Sequence, residues 1–310
     1  MNPSVTDDVV VAAAPRNRSL AERLVVPLAV ANLVANIGIV LTGGVVRLTG
    51  SGLGCPTWPR CTDDSYVPHG SLGIHGAIEF GNRLLTFALA IVALATFVAA
   101  WRAGRARAAR LAFLVGLGVP AQAVIGGITV LTDLNPWIVA LHLLLSLAMV
   151  GVCVLLLDVL RHPLTGGSAT AVRHSPVVRR VALAVFAAGW VALYLGTIVT
   201  GSGPHAGDAD SPRTGLDPEL FSRIHAASVY ALVGLTLAAL VLARRSGDAL
   251  LVKAVAVLVA VELGQGAVGY LQYFNGLPIV LVAIHLVGAA VTSAAVTWVL
   301  VRALRRAVPA

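Results

Sequence analysis

Charged residues are scarce in this chain of 310 residues, since Asp, Glu, Lys and Arg together make up 12% of it. Soluble globular proteins carry about 25% charged residues. Only three cysteines are present, which excludes a small secreted fold held together by many disulfides. Apolar residues instead reach 58%, and the mean hydropathy is +0.88. These values exclude a soluble enzyme and a disordered chain, and they predict an integral membrane protein.

Eight stretches are long and apolar enough to span a membrane, because a spanning helix needs about 20 mostly apolar residues. They are 24–46, 74–100, 110–132, 137–160, 177–200, 220–243, 249–272 and 277–301. The first is followed by Arg47 and a glycine-rich loop instead of a small-residue cleavage site, so we do not expect a cleaved signal peptide. The predicted fold class is therefore all-α, with eight transmembrane helices.

Most of the 22 Lys and Arg residues fall on one side of these predicted spans. They are Arg16, Arg18, Arg23, Arg102, Arg105, Arg107, Arg110, Arg161, Arg173, Arg179, Arg180, Arg244, Arg245, Lys253, Arg302, Arg305 and Arg306. Cytoplasmic loops carry an excess of such residues, so both termini are predicted to be cytoplasmic. The net charge of +8 is thus an orientation signal, and no nucleic-acid partner is expected.

A repeat relates the two halves of the chain. One constant shift in numbering places Gln122 on Gln265, Gly126 on Gly269, His142 on His285 and Asn82 on His225, and the tetrapeptide TGSG occurs at 49–52 and 200–203. Both halves begin on the same side, which predicts two pseudo-symmetric four-helix bundles related by an axis along the membrane normal. The predicted segments are a tail 1–23, a half 24–160, a linker 161–176, a half 177–301 and a tail 302–310.

Histidines at one depth are the first candidates for a functional site. His75, His142, His225 and His285 lie in the first turns of helices that enter from the outer side. Ionisable groups inside a membrane are functional candidates, although a single histidine more often makes an interhelical hydrogen bond. Two histidines facing each other across a bundle can supply both axial ligands of a haem iron, which is our interpretation of His225 and His285.

The first half offers a different set of side chains. Asn82 stands where the repeat would place a histidine, so His142 is its one obvious ligand. His75, Glu79 and Asn82 share one face of the second helix. A carboxylate there suits proton transfer, and the alternative is an ion pair of Glu79 with Arg83 or Arg47. The inequality of the halves predicts a permanent cofactor in one and an exchangeable molecule in the other.

Motifs over residues 24–301 are similar to those of the haem A synthase family. They are GGVVRLTGSGLGCPTWPRC at 43–61, IEFGNRLLT at 78–86, LNPWIVALHL at 134–143, VTGSGPHAGD at 199–208, IHAAS at 224–228 and AIHL at 283–286. The resemblance implies a cell-membrane enzyme that oxidises the C8 methyl group of haem O to a formyl group. The product, haem A, serves terminal oxidases.

The same resemblance assigns roles to residues. His225 and His285 would hold a haem b, His142 would bind the substrate haem O, and Glu79 would act in catalysis. The family commonly has Glu-x-x-His-Arg on its second helix, where this chain has Asn82. Either His142 alone holds the substrate iron, which we favour, or His75 substitutes.

The resemblance also implies a disulfide between Cys55 and Cys61 in the first outer loop, as a structural staple or as thiols that turn over. Cys153 is interpreted as a small hydrophobe, and His162 and His174 as solvated surface residues. Expected partners are haem O and haem A, a haem O synthase (farnesyltransferase) and an unidentified membrane electron acceptor. Self-association into a homo-oligomer stays open, and the haem sites are expected towards the outer face.

Two other functions compete with this interpretation. A two-haem b-type electron-transfer cytochrome would need two histidine pairs, and Asn82 breaks the second. A haem chaperone or exporter would explain an exchangeable site but would give Glu79 no task. A transporter has the least support, because Glu262 is its only candidate for a charged group inside a helix.

Overall fold

The computed structural model describes residues 19–162 and 174–305, and within these ranges it contains eight helices long and apolar enough to cross a membrane. They are α1 Leu20–Leu48, α2 Gly73–Arg102, α3 Ala106–Leu131, α4 Pro136–Arg161, α5 Pro176–Ser202, α6 Pro218–Ser246, α7 Ala249–Phe274 and α8 Ile279–Leu304. The predicted all-α fold with eight spans is confirmed. A short 3₁₀ turn, Gly70–Leu72, leads into α2.

Most helices begin or end a few residues beyond the predicted spans, because polar side chains cap them outside the apolar stretch. Ser19 caps α1 through a capping box with Glu22, so this helix starts at Leu20 rather than at residue 24. Asp217 likewise accepts hydrogen bonds from the first backbone N–H groups of α6. Hydropathy identifies the membrane-crossing part of each helix, and the caps set its ends.

The helices pack as two groups of four. In the first group α1 contacts α2 and α4, while α3 contacts α2 and α4; in the second α5 contacts α6 and α8, while α7 contacts α6 and α8. The groups meet through α1, α4, α5 and α8. Val40, Leu147, Leu193 and Ala290 form a buried apolar cluster at this junction. The pseudo-symmetry between the groups, and the segment boundaries, stay predictions.

Ion pairs join the helices at the end of the molecule that carries the α2–α3 and α6–α7 connections, which we call the basic end. Asp158 at the end of α4 accepts from Arg305 at 2.5 Å. Asp248 lies 3.2 Å from His174 and 3.6 Å from Arg302. The interpretation of His174 as a solvated residue is wrong, because it is 6% exposed and packs against this carboxylate.

Part of the predicted charge pattern lies outside the described residues. This applies to Arg16, Arg18, Arg173 and Arg306, and to parts of the predicted segments 1–23, 161–176 and 302–310. The cytoplasmic position of the termini stays a prediction. Cys153 is buried in α4, as expected for a small hydrophobe.

Candidate functional site: buried histidines beneath a disulfide loop

A disulfide closes the loop between α1 and α2 at the end opposite the basic end, which we call the disulfide end. Cys55 and Cys61 are bonded, and both are completely buried. This confirms the predicted pair. Trp58, inside the closed loop, packs on α3 so closely that a Cβ atom at Gly127 would lie 2.3 Å from its indole ring. The loop therefore bridges α2, which follows it in the chain, and α3.

Glu79 lies directly beneath this loop. It is 5% exposed, and its Oε2 accepts a hydrogen bond from the backbone N–H of Cys55 at 2.6 Å. Its Oε1 accepts from Arg83, one turn further along α2, at 2.6 Å. Arg83 also donates to the carbonyl oxygens of Cys55 and Thr57. The alternative of an ion pair with Arg83 is thus present, and it fixes the disulfide loop to α2.

The other two residues of the α2 face contact different elements. His75, in the first turn of α2, is exposed, and its Nδ1 lies 3.0 Å from the hydroxyl of Ser51. Asn82 accepts a hydrogen bond from Thr42 of α1 at 2.8 Å through Oδ1. Both side chains therefore have protein partners on the α1 side of α2.

His142 lies in the second turn of α4, and its Nδ1 is buried without a hydrogen-bond partner. The ring packs on α3, where a Cβ atom at Gly126 would lie 3.4 Å from its Cε1. Gly126 precedes the glycine that receives Trp58, so the disulfide loop and His142 meet the same turn of α3. Within the described residues no hydrogen bond joins His142 to Glu79, Asn82 or His75.

Sequence reasoning missed a glutamine that supports this histidine. Gln122 of α3 donates through Nε2 to the carbonyl oxygen of His142 at 3.2 Å and to the hydroxyl of Ser146 at 2.7 Å. The internal repeat places Gln122 and Gln265 at equivalent positions, and this equivalence could have identified both as residues that support the histidines. Gln265 of α7 donates in the same way to the carbonyl oxygen of His285 at 3.1 Å.

His225 of α6 and His285 of α8 are brought together, since they are close enough for their charges to interact. Both have a buried Nδ1 without a partner of full hydrogen-bond geometry, although the Ala192 carbonyl approaches His225. Each ring packs on a glycine: a Cβ atom at Gly196 would lie 3.3 Å from Cε1 of His225, and one at Gly269 would lie 3.5 Å from that of His285.

The number of side chains that could coordinate a metal limits what these sites can hold. No group of three or more His, Cys, Asp or Glu side chains that could hold a metal ion occurs in the part of the chain that the structure describes. Protein zinc sites use three or four such ligands. Haem brings four nitrogens of its own and needs only one or two axial side chains. One or two histidines therefore suit haem better than a bare ion.

The loops of the two helix groups interlock at the disulfide end. Arg47, near the end of α1, donates to the carbonyl oxygens of His205 at 2.7 Å and Thr200 at 2.8 Å. The backbone N–H of Gly52 donates to the carbonyl oxygen of Gly207. The ion pair of Glu79 with Arg47, which spacing left open, does not form, because Arg47 spans the two groups instead.

Comparison with known proteins adds a family and three relatives. A family model described as COX15-CtaA, cytochrome oxidase assembly protein, matches residues 27–72 and 73–207. The chain is similar to the haem A synthases of Lysinibacillus sphaericus (strain C3-41), 39% identical over 122 residues, and Geobacillus thermodenitrificans, 32% identical over 116 residues. That of Geobacillus kaustophilus (strain HTA426) is 31% identical over 116 residues.

These matches cover 37–38% of this chain and 36–39% of the relatives. The matched region thus spans about two fifths of the length of the curated relatives.

Proposed function

We infer the function from the premise that this chain belongs to the COX15-CtaA family of cytochrome oxidase assembly proteins, whose model matches more than half of it. We propose that it is a haem A synthase, an oxidoreductase that converts the C8 methyl group of haem O into the formyl group of haem A. Its similarity to three curated haem A synthases supports this. The carrying observation is the unequal set of histidines inside the helices near the disulfide end, each with a buried and unpaired Nδ1: His225 and His285 in one helix group and His142 alone in the other.

The residues of the second helix group fit a haem b. His225 of α6 and His285 of α8 lie close enough for their charges to interact, and the buried nitrogen of each is Nδ1. This leaves Nε2 of both rings to reach an iron. When bound there, haem b supplies a one-electron redox centre.

In the first helix group, His142 is the proposed ligand of the substrate iron. Asn82 is engaged by Thr42, and His75 by Ser51 at the start of α2. These contacts favour ligation by His142 alone over a second ligand from α2. A single protein ligand also agrees with a substrate that must leave after oxidation.

Glu79 is the proposed acceptor of protons released from the methyl group. Hydrogen bonds from Cys55 and Arg83 stabilise its carboxylate form, against the cost of burying a charge. The carboxylate is the form that takes up a proton, and its exposure of 5% keeps bulk water from competing for that role. Arg83 positions the carboxylate, and the disulfide loop covers it.

The proposed reaction implies further partners. The reaction would require a membrane electron acceptor that is itself to be identified, to which a haem b held by His225 and His285 would pass electrons, and a haem O synthase (a farnesyltransferase) would supply the substrate. Eight apolar helices support a multi-pass membrane protein. The proposed location is the cell membrane, with cytoplasmic termini and haem sites towards the outer face, where the disulfide would persist.

The test is the haem content of the protein purified from a host that makes haem O. Pyridine haemochrome spectra and mass spectrometry should identify haem b together with haem O, or with its hydroxylated or formyl product. His225→Ala should lose haem b because it removes an axial ligand. His142→Ala should retain haem b and lose the haem O-derived pigment.

Haem b in both helix groups, with no haem O derivative, would replace the proposal by a two-haem electron-transfer cytochrome. Haem O that is bound and released unchanged would favour a chaperone or an exporter.

A further inference from the structure

A cavity of about 330 Å³ lies between α3 and α4, beyond the proposed haem site towards the basic end. Its walls are apolar and include Leu114, Leu117, Ala148 and Met149. Leu114 and Leu117 are each 52% exposed, so the cavity opens at the lipid-facing surface. Its α3 residues extend over 114–125, which corresponds to roughly 16 Å along the helix. The shape is therefore that of a groove suited to a long hydrocarbon chain.

One polar side chain lines this groove at the end near His142. Gln122 uses its Nε2 to donate to the His142 carbonyl and to Ser146, whose own hydroxyl donates to the same carbonyl. Both contacts need a donor, so the amide nitrogen is fixed there. Its Oε1 is then buried without a hydrogen-bond partner. An unpaired buried acceptor is unfavourable, and a hydroxyl donor entering the groove would relieve that cost.

The other helix group lacks this arrangement around its equivalent glutamine. Gln265 donates to the His285 carbonyl, but the position equivalent to Ser146 is Ala289. The carbonyl oxygen of Gln265 packs on α8, only 1.8 Å from where a Cβ atom at Gly288 would lie. The unpaired acceptor beside an apolar groove therefore belongs to the half in which we place the substrate.

We propose that the α3–α4 groove holds the hydroxyethylfarnesyl chain of the substrate haem, with Gln122 Oε1 accepting a hydrogen bond from the hydroxyl of that chain. This inference rests on the proposed function. Haem O differs from haem B by this chain, which replaces a vinyl group and joins a hydroxyl near the ring to an isoprenoid tail. Gln122 Oε1, close to the proposed iron ligand His142, matches the hydroxyl near the ring. The apolar groove beyond it matches the isoprenoid tail. Gln122 and the groove thereby distinguish haem O from haem B.

The experiment titrates the purified protein, with haem b bound, with haem O and separately with haem B, and follows each titration by its absorbance difference spectrum. Gln122→Met should weaken haem O binding about three- to tenfold more than haem B binding, the range for one hydrogen bond, because any loss through the support of His142 is common to both haems. If Gln122 acted only by holding His142, both haems would weaken equally, and the specificity role would be overturned.

A second variant tests the groove separately. Ala148→Phe fills it and should weaken haem O but not haem B. Val124→Phe adds the same ring at a 48% exposed position on α3 outside the groove, and should change neither affinity. Ala121→Phe, at an exposed lining position, repeats the test if Ala148→Phe fails to fold. Unchanged haem O affinity in a folded groove variant would show that the farnesyl chain does not lie in the groove, and would overturn the proposal.

His142→Ala distinguishes failure of the proposed function from failure of the proposal for the α3–α4 groove. If haem O binding to the wild type does not depend on His142, the proposed function itself fails. If haem O binding depends on His142 but is unchanged by Gln122→Met and by the variants that fill the groove, the proposed function stands and only the roles of Gln122 and the groove fail.

Discussion

Glu79 combines a structural and a chemical role in one carboxylate. Each oxygen accepts a hydrogen bond, one from the Cys55 backbone and the other from Arg83, so the side chain anchors the disulfide loop. The same donors stabilise the charge that a proton acceptor needs. The ion pair of Glu79 with Arg83 is therefore compatible with a catalytic role for Glu79. The disulfide loop that this pair anchors would also cover the substrate site.

Replacement of Glu79 should separate haem b binding from the oxidation of haem O. We expect Glu79→Ala to accumulate haem O, lower haem A production at least tenfold and retain haem b, because general-base catalysis contributes about 10²–10⁴-fold and His225 and His285 are untouched. Extracted pigments separated by liquid chromatography give all three quantities.

Glu262 provides the matched control, since it is also a buried carboxylate, 4% exposed, but lies in the second helix group and accepts from Thr236 at 2.7 Å. Glu262→Gln keeps that acceptor and should leave haem A production near the wild-type level. Undiminished haem A in Glu79→Ala would remove Glu79 from the mechanism.

At the scale of the helices, hydropathy predicts which segments span the membrane, and a capping side chain fixes the first residue of α1, α4, α5, α6 and α7. Asp217 and Asp248 both accept hydrogen bonds from the first N–H groups of a helix, α6 and α7 respectively. The surroundings of Asp248 could not be predicted, since it also meets His174, which lies just before α5, and Arg302 of α8, both distant in the chain. Local patterns predict a cap, whereas an ion pair between distant helices depends on packing.

The two caps should therefore differ in their contribution to stability. Asp217→Ala removes a cap alone and should lower the free energy of unfolding by about 1 kcal/mol. Asp248→Ala also leaves a buried His174 and Arg302 without their carboxylate, and should lower it by about 2–4 kcal/mol. Thermal unfolding in detergent, followed by circular dichroism, compares the two. Equal losses would show that the ion pairs of Asp248 with His174 and Arg302 contribute nothing.

The contribution of Asp248 should also depend on pH. Burial acts to raise the pKa of Asp248, but the Leu251 and Leu250 N–H groups, Arg302 and His174 outweigh it and hold the pKa below its ordinary value of 3.8. A carboxyl with a lowered pKa stabilises the fold above its unfolded pKa, and that stability is lost as the pH falls through the folded pKa. The difference between wild type and Asp248→Asn should therefore shrink as the pH falls below 3.8. A difference that grows on acidification would contradict this.

At the scale of the whole molecule, the two helix groups are joined by apolar packing along α1, α4, α5 and α8 and by polar contacts at the disulfide end. The sequence predicted the two helix groups and the histidines in each, because both follow from the internal repeat. It left the partner of Arg47 open, because only packing places His205 and Thr200 beside it. The polar link between the halves is thus a property of the fold that no local motif predicts.

The polar link made by Arg47 should contribute measurably to the stability of the protein. Arg47→Ala leaves the carbonyl oxygens of His205 and Thr200 without their donor, and hydrogen bonds from charged groups contribute about 1.5–3 kcal/mol each. We expect a fall in thermal stability corresponding to about 3 kcal/mol. Arg223→Ala is the matched control, because this arginine is 73% exposed in its side chain and pairs only with Glu219 of its own helix, so its loss should be nearly neutral.

Because His225 and His285 lie wholly within the second helix group, Arg47→Ala should still bind haem b in full. Haem A production should nevertheless decline, because the proposed reaction would move electrons from the substrate half to haem b across the junction that Arg47 helps to hold. Pyridine haemochrome spectra and pigment analysis on the same preparation measure both quantities. Loss of haem b in Arg47→Ala would mean that the halves do not hold their sites independently. Unchanged stability and haem A production would mean instead that apolar packing along α1, α4, α5 and α8 alone fixes the distance between the two sites.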